Sequence, residues 1–246
     1  MKLFGPLVMT IIFIAVLLPL NVYSQGKYAF LVGISNYPIH GDPEANWNPI
    51  HGGKDIEILK PILSKQGFII NAISNSSATA KSIRDHLKLL SKEVKSGSIV
   101  YIHFSVHGQV VEDLDGDELD GWDESIVPYD AQKKYRKGIY EGSSHIIDDE
   151  LNLYIGSIRK AVGPTGFVYV VIDACHAGST YRGEYVDSLY VRGSTSCFTR
   201  TGKIYAPKLD KRSHIEVDSE KGMSPLLMLE ACRSYETNTE IKQDGT

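Results

Sequence analysis

Short apolar runs rich in β-formers alternate along this chain with stretches of helical periodicity, and this alternation limits the folds open to it. Lys27–Ile34, Phe68–Ile73, Ser98–Ser105, Gly166–Asp173 and Ser224–Cys232 each read as a strand. They are short and almost wholly apolar, as strands buried on both faces are. Between them, Lys54–Gln66 reads as a helix closed by Gly67, with Pro61 expected to kink it or shift its start. Thr79 is placed to cap a second helix, in which Ile83, Leu87, Leu90 and Val94 recur on one face. Asp148–Val162 reads as a third, stopped by Gly163-Pro164. Strands alternating with helices imply parallel βαβ units, so the expected class is α/β: a mostly parallel sheet with helices on both faces.

Residues 1–24 stand apart from this pattern. Lys2 is followed by the apolar stretch Leu7–Leu20, and Ser24 is a small residue at a suitable cleavage point. That is the layout of a secretory signal peptide, and the stretch is short for a membrane span. The expectation is export to a secreted or periplasmic location, a domain over residues 25–246, and no membrane association after cleavage. A net charge of −4 offers no basic face, so nucleic acid is not an expected partner. Three cysteines, Cys175, Cys197 and Cys232, leave at least one thiol outside any internal disulfide; Cys175 is the expected free one, while Cys197 and Cys232 could pair or stay as thiols.

Two of the strand-like runs end in chemistry. One leads through Ser105-Val106 to His107-Gly108, the other through Asp173-Ala174 to Cys175-His176-Ala177-Gly178. In open α/β sheets ligands bind at the carboxyl ends of strands. Adjacent parallel strands would therefore unite a thiol nucleophile with an imidazole base. The backbone amides at Gly108 and Cys175 could hold an oxyanion. His176 adjoins the nucleophile but should face away from it. Ser105 and Asp173 each lie two residues before a reactive residue, so their side chains point to the same side as His107 and Cys175.

The two motifs resemble the histidine and cysteine motifs of metacaspases, within the caspase-like cysteine peptidases of family C14. Three further segments resemble that family in the same order: Tyr28–Tyr37, the acidic run Asp115–Glu124, and Ile147–Leu151. The resemblance implies a caspase-like three-layer sandwich, C-terminally truncated here because no closing helix follows the fifth strand. It implies a cysteine endopeptidase with Cys175 as nucleophile and His107 as general base and then acid, working as a dyad without an orienting carboxylate. It adds Asp55 to Ser105 and Asp173 as an acidic pocket, so the expected partners are proteins or peptides cut after Arg or Lys. No cofactor is required for such chemistry. A regulatory calcium is expected on Asp123, Asp148 and Asp149, in keeping with the carboxylate-dense run from Asp113 to Glu124. A monomer is expected.

Two departures from the family pattern stand out. Arg182 lies near the place of a further calcium-binding aspartate, and Val106 stands where a glycine usually precedes the histidine. The stretch from about His176 to Met223 lacks periodicity and reads as a long mobile loop, with eight basic residues as sites for self-processing. The rival readings are a legumain-like or clostripain-like peptidase of the same clan, and a catalytically weak caspase-like binding or regulatory domain.

Overall fold

A computed structural model describes residues 26–118, 120–175, 190–194, 196–205, 220–231 and 239–240. Its centre is a five-stranded parallel sheet built from β1 (Lys27–Gly33), β2 (Ile69–Ser74), β3 (Ile99–Ser105), β7 (Phe167–Asp173) and β9 (Leu226–Glu230), in the order β2-β1-β3-β7-β9. The helix α1 (Gly52–Lys65) covers one face over Ala29 and Leu31. The other face carries α2 (Ala80–Glu93) and α3 (Asp148–Val162), which enclose the larger core around Phe30, Ile102, Phe104 and Val170. The α/β three-layer expectation holds. The order reverses direction between β1 and β3, a switch point of the kind that opens a crevice at the strand ends.

The helices follow from their sequences. Thr79 accepts a hydrogen bond from the Ser82 amide at 3.2 Å, the expected cap of α2. Gly163, at φ 68°, ends α3 in the left-handed region that glycine tolerates. α1 begins at Gly52, two residues before the expected start, and runs continuously through Pro61. Pro61 and Glu57, whose carbonyl loses its partner, both face solvent, so water can replace the missing donor.

The chain beyond His107 differs from expectation. An acidic loop was expected over Glu112–Glu124, followed by a brief extended piece at Ser125–Pro128. Instead β4 (His107–Glu112) pairs antiparallel with β5 (Trp122–Val127), which pairs with the short β6 (Ile146–Ile147). The acidic loop is thus the tip of a hairpin. The hydrophobic signal of Val110 and Val111 is brief, and Gly108 hid the start of the strand.

Part of the expected long loop is also well packed. β8 (Tyr190–Val191) pairs antiparallel with β10 (Thr239–Glu240). Arg192, Ser194 and Phe198 are buried, and Phe198 bridges to Val111 beside β4. Phe198 also meets Tyr140 and His145 edge-on or tilted. Residues 1–24, expected to be a signal peptide, and His176, Arg182 and Cys232 lie outside the described residues. Cys197 has no disulfide partner among the described residues.

Candidate active site

Register brings the two motifs together. β3 and β7 pair with Ser105 opposite Asp173, so His107 and Cys175 emerge side by side two residues later. The Val106 amide donates to the Asp173 carbonyl at 3.3 Å and ties the two strand ends. Val106 itself is buried in the main core.

Glycines allow the third wall to approach. The N-terminus of α1 lies so close to β1 and β3 that a Cβ on Gly52 would sit 2.0 Å from the Ser105 carbonyl oxygen. A Cβ on Gly33 would sit 2.2 Å from the Gly52 oxygen. This contact delivers Asp55, in the first turn of α1, to the ends of β3 and β7. The capping position of that helix is His51, so Asp55 is left for another role. Ser105 Oγ donates to Asp55 Oδ2 at 2.6 Å.

Asp55, Ser105 and Asp173 surround the guanidinium of Arg192. Its Nη2 donates to Asp55 Oδ2 at 2.6 Å and its Nη1 lies 2.8 Å from Asp173 Oδ2; Nη1 also donates to Ser105 Oγ. Paired contacts to planar carboxylates suit a guanidinium better than an ammonium. The side chain of Arg192 is only 6% exposed, while those of Asp55 and Asp173 are 31% and 27% exposed.

The backbone of the same residue meets the two expected oxyanion donors. The amides of Cys175 and Gly108 both donate to the Arg192 carbonyl oxygen, at 2.7 and 3.4 Å. The next residue, Gly193, lies against the nucleophile: a Cβ there would be 2.4 Å from the Cys175 carbonyl oxygen and 2.8 Å from its Cβ. Arg192 was one of eight basic residues of its segment, and nothing local in the sequence singled it out.

His107 is buried and held on several sides. Its Nε2 lies 2.8 Å from the Asn48 carbonyl oxygen. A carbonyl can only accept, so Nε2 carries the hydrogen and Nδ1 keeps its lone pair. Nδ1 is buried with no hydrogen-bond partner among the described residues, available to receive a proton. The ring stacks on Trp47, centroids 4.9 Å apart, and tilts against Tyr37 at 5.2 Å. The Tyr37 hydroxyl accepts from the His107 amide at 3.1 Å and donates to the Val127 carbonyl. Burial above all pushes the imidazole pKa down to about 4, the Asn48 bond opposes this, and the positive charges of Lys133 and Arg192 lower it further. The imidazole is therefore neutral at rest. Tyr37, Trp47 and the Asn48 carbonyl were not foreseen; the backbone carbonyl has no residue signature.

The expected calcium residues gather at the hairpin tip and the start of α3. Carboxylate oxygens of Asp117, Asp123 and Asp149 lie within 4.8 Å of one another, and Asp113, Asp115 and Asp117 form a second such group. Asp148 is buried beside them, with its Oδ1 unpartnered among the described residues. Burial, then neighbouring carboxylates, pushes the pKa of Asp123 up to about 7 and that of Asp148 up to about 8. Buried Glu124 rises to about 9 for the same reasons. An orphaned buried oxygen among converging carboxylates fits a hard cation. Asp117 joins the expected set; it was passed over because it lies in a loop dense with equivalent carboxylates.

The family model described as the metacaspase, peptidase C14 domain matches residues 55–182. Metacaspase-1B of Aspergillus fumigatus is 35% identical over 114 residues, covering 46% of this chain and 25% of its own length. Metacaspase-1 of Schizosaccharomyces pombe is 30% identical over 160 residues, covering 63% of this chain and 35% of its own. Metacaspase-1 of Eremothecium gossypii is 27% identical over 173 residues, covering 68% and 36%. The chain thus spans about a quarter to a third of the length of these relatives. A crystal structure of a Geobacter sulfurreducens protein aligns with TM-score 0.52 at 24% identity, covering 69% of this chain and 57% of its own, a likeness of fold.

Proposed function

From the premise that this chain belongs to the metacaspase family of C14 peptidases, we propose that it is a cysteine endopeptidase that cleaves after Arg or Lys. The observation that carries this reading is the guanidinium of Arg192 held between Asp55 and Asp173 while its carbonyl oxygen accepts from the amides of Cys175 and Gly108. A basic residue can thus fill the acidic pocket and present its peptide carbonyl at the nucleophile in one pose.

The mechanism follows from the groups in place. His107 Nδ1 takes the Cys175 proton, and Sγ attacks the carbonyl carbon. The two amides hold the developing oxyanion, an interaction commonly worth about 3 kcal/mol per donor. The imidazolium then gives its proton to the leaving amine, and water hydrolyses the thioester by the reverse of these steps. The Asn48 carbonyl orients the ring in place of a carboxylate.

Calcium activation belongs to the same proposal. Asp117, Asp123, Asp148 and Asp149 would hold the ion, which would neutralise their mutual repulsion at the tip of the β4–β5 hairpin, whose other end carries His107. So do self-processing within residues 176–222, export directed by residues 1–24, and a monomeric state.

The test is steady-state cleavage of fluorogenic peptides ending in Arg, Lys, Asp or Asn, with and without calcium. Arg and Lys peptides are the expected substrates, and Cys175→Ala the inactive control. Asp173→Asn should cost about 100-fold or more in kcat/KM on Arg peptides, since truncating one charge of a buried pair costs about 2–5 kcal/mol. Cleavage confined to Asp peptides would sink the specificity argument.

A further inference from the structure

We propose that His103 is the resident counter-ion of the acidic pocket: it takes up a proton when the pocket is empty and gives it up when a basic side chain enters. The inference rests on the Arg/Lys peptidase reading and goes beyond it by naming a residue that ties recognition of the basic group to pH.

Strand alternation places His103 beneath the pocket. Tyr101, His103 and Ser105 follow one another at every second position of β3, so their side chains share one face of the sheet. Tyr101 packs there with Ile56 of α1, and Ser105 meets Asp55 of the same helix. The neighbours of His103 across the sheet are Leu31 on β1 and Val171 on β7, which carry no charge. Asp173 is the next residue of β7 on this face, opposite Ser105. The charged groups at this end of the face are therefore Asp55 from α1, Asp173 from β7 and the seated guanidinium of Arg192. Tyr101 is the titratable group on the other side.

The ring is arranged to receive a proton. It is buried, with Nδ1 3.1 Å from the Tyr101 hydroxyl. Nε2 is buried too and has no hydrogen-bond partner among the described residues. Buried polar atoms are nearly always satisfied, so a bare one calls for an explanation. A hydroxyl both donates and accepts, so Tyr101 can serve the neutral ring and its cation alike. Protonation thus requires no more than a turn of that hydroxyl.

Electrostatics links that proton to the occupant of the pocket. With Arg192 seated, burial lowers the pKa of His103 to about 4; the Asp55 charge opposes this and the Arg192 charge adds to it. Withdrawing the guanidinium removes a cation, lets water in and leaves the carboxylates of Asp55 and Asp173 without the charge they share. All of these changes favour the imidazolium. One positive charge therefore stays beside the two carboxylates, supplied by the ligand or by His103. Because the filled pocket has the lower pKa, binding releases a proton. Affinity for a basic group then rises with pH between the filled and the empty pKa, by up to about tenfold per pH unit for one proton. In turnover of Arg-ending peptides this exchange acts on KM, whereas the state of His107 acts on kcat.

The experiment follows the imidazole resonances of isotope-labelled histidine in the purified chain as pH is varied, with His103→Gln identifying the signal. In wild type, with Arg192 seated, His103 should titrate at the acid end. In Arg192→Ala it should titrate at least about one pH unit higher, towards the ordinary value of about 6.5. Benzamidine, a planar amidinium, should drive it back down in that variant. Calorimetry should show benzamidine binding to Arg192→Ala with release of a proton, and tightening towards about tenfold between pH 5 and pH 6. Adding His103→Gln should flatten that slope. Circular dichroism checks each fold, and Arg192→Gln takes the place of Arg192→Ala if the latter unfolds. Equal titration of His103 in wild type and Arg192→Ala would overturn the inference, as would a benzamidine pH slope that survives His103→Gln. Benzamidine that fails to bind folded Arg192→Ala at any of these pH values would instead remove the acidic-pocket reading on which it stands.

Discussion

His107 donates through Nε2 to the carbonyl oxygen of Asn48 at 2.8 Å, and this one bond fixes which ring nitrogen keeps its lone pair. The bare Nδ1 is then the proposed base, in a pocket dry enough to keep the imidazole neutral, with a pKa down at about 4. Proton uptake there creates a cation that must be stabilised locally. Trp47 stacks on the ring at 4.9 Å and offers its π-face to that charge.

Trp47→Leu should therefore lower kcat about 10-fold with little change in KM, since a desolvated cation–π contact is worth about 1–2 kcal/mol. Trp47→Phe should restore most of the rate, because it keeps an aromatic face. The pH profile distinguishes this from general loosening: in Trp47→Leu the acid limb of kcat should move to lower pH, as the imidazolium loses its support. A loss equal for Leu and Phe, with no movement of that limb, would mean that Trp47 only fills space.

Close backbone approach at α1 makes a second, sharper prediction. Gly52→Ala would place a Cβ 2.0 Å from the Ser105 carbonyl, and neither atom belongs to a flexible side chain. The helix must move away, taking Asp55 from the pocket. Overpacking of this kind costs about 1–3 kcal/mol, read as a lowered midpoint in urea unfolding. The rate on Arg peptides should fall by more than stability alone explains, because Asp55 is displaced in the molecules that stay folded. Ile58→Ala, at an exposed position of the same helix, serves as the neutral comparison.

Much of this arrangement was legible in the sequence, for reasons that also mark the limit. The five strands of the main sheet are nearly continuous apolar runs, and α2 shows clean helical spacing, so both were visible. His107, Cys175, Ser105 and Asp173 were visible because strand alternation fixes which side chains share a side. β4 was not, since two valines after His107-Gly108 give too brief a signal, and its partner β5 carries Asp123 and Glu124, which read as loop. The Asn48 carbonyl left no trace because any residue could supply it. Arg192 was hidden by its company: a pocket of two carboxylates specifies a basic occupant, but only tertiary structure chooses among eight.

Buried histidines give the pH prediction. His145 is buried between Gln109 and Tyr140, hydrogen-bonded to each at 3.0 and 2.9 Å, and burial pushes its pKa down to about 3. A depressed folded-state pKa stabilises above the unfolded value, about 6.5, and that contribution is lost as pH falls toward the folded one. Between pH 7 and pH 5 it should cost about 2 kcal/mol. Asp123, Asp148 and Glu124 act in the opposite sense, because raised carboxylate pKa values stabilise more as pH falls. The comparison of wild type with His145→Gln cancels their contribution. Urea unfolding should show the variant less stable at pH 7 but with a shallower loss toward pH 5. Parallel pH dependences would contradict a neutral, buried His145.

The acidic cluster can be tested by stability without reference to activity. Asp117, Asp123 and Asp149 crowd their oxygens within 4.8 Å, and Asp148 has a buried oxygen without a partner. Without a cation this arrangement is repulsive; with calcium it becomes a set of ligands. Millimolar calcium should raise the melting temperature by several degrees, as ligand linkage requires when the folded form alone binds. Asp123→Asn removes one repelling charge and one ligand together. It should therefore melt higher than wild type in EDTA and gain little or nothing from calcium. Magnesium, which prefers a tighter octahedron and keeps its waters, should stabilise wild type less than calcium at equal concentration. If Asp123→Asn responded to calcium as strongly as wild type, the ion would not be binding at this cluster.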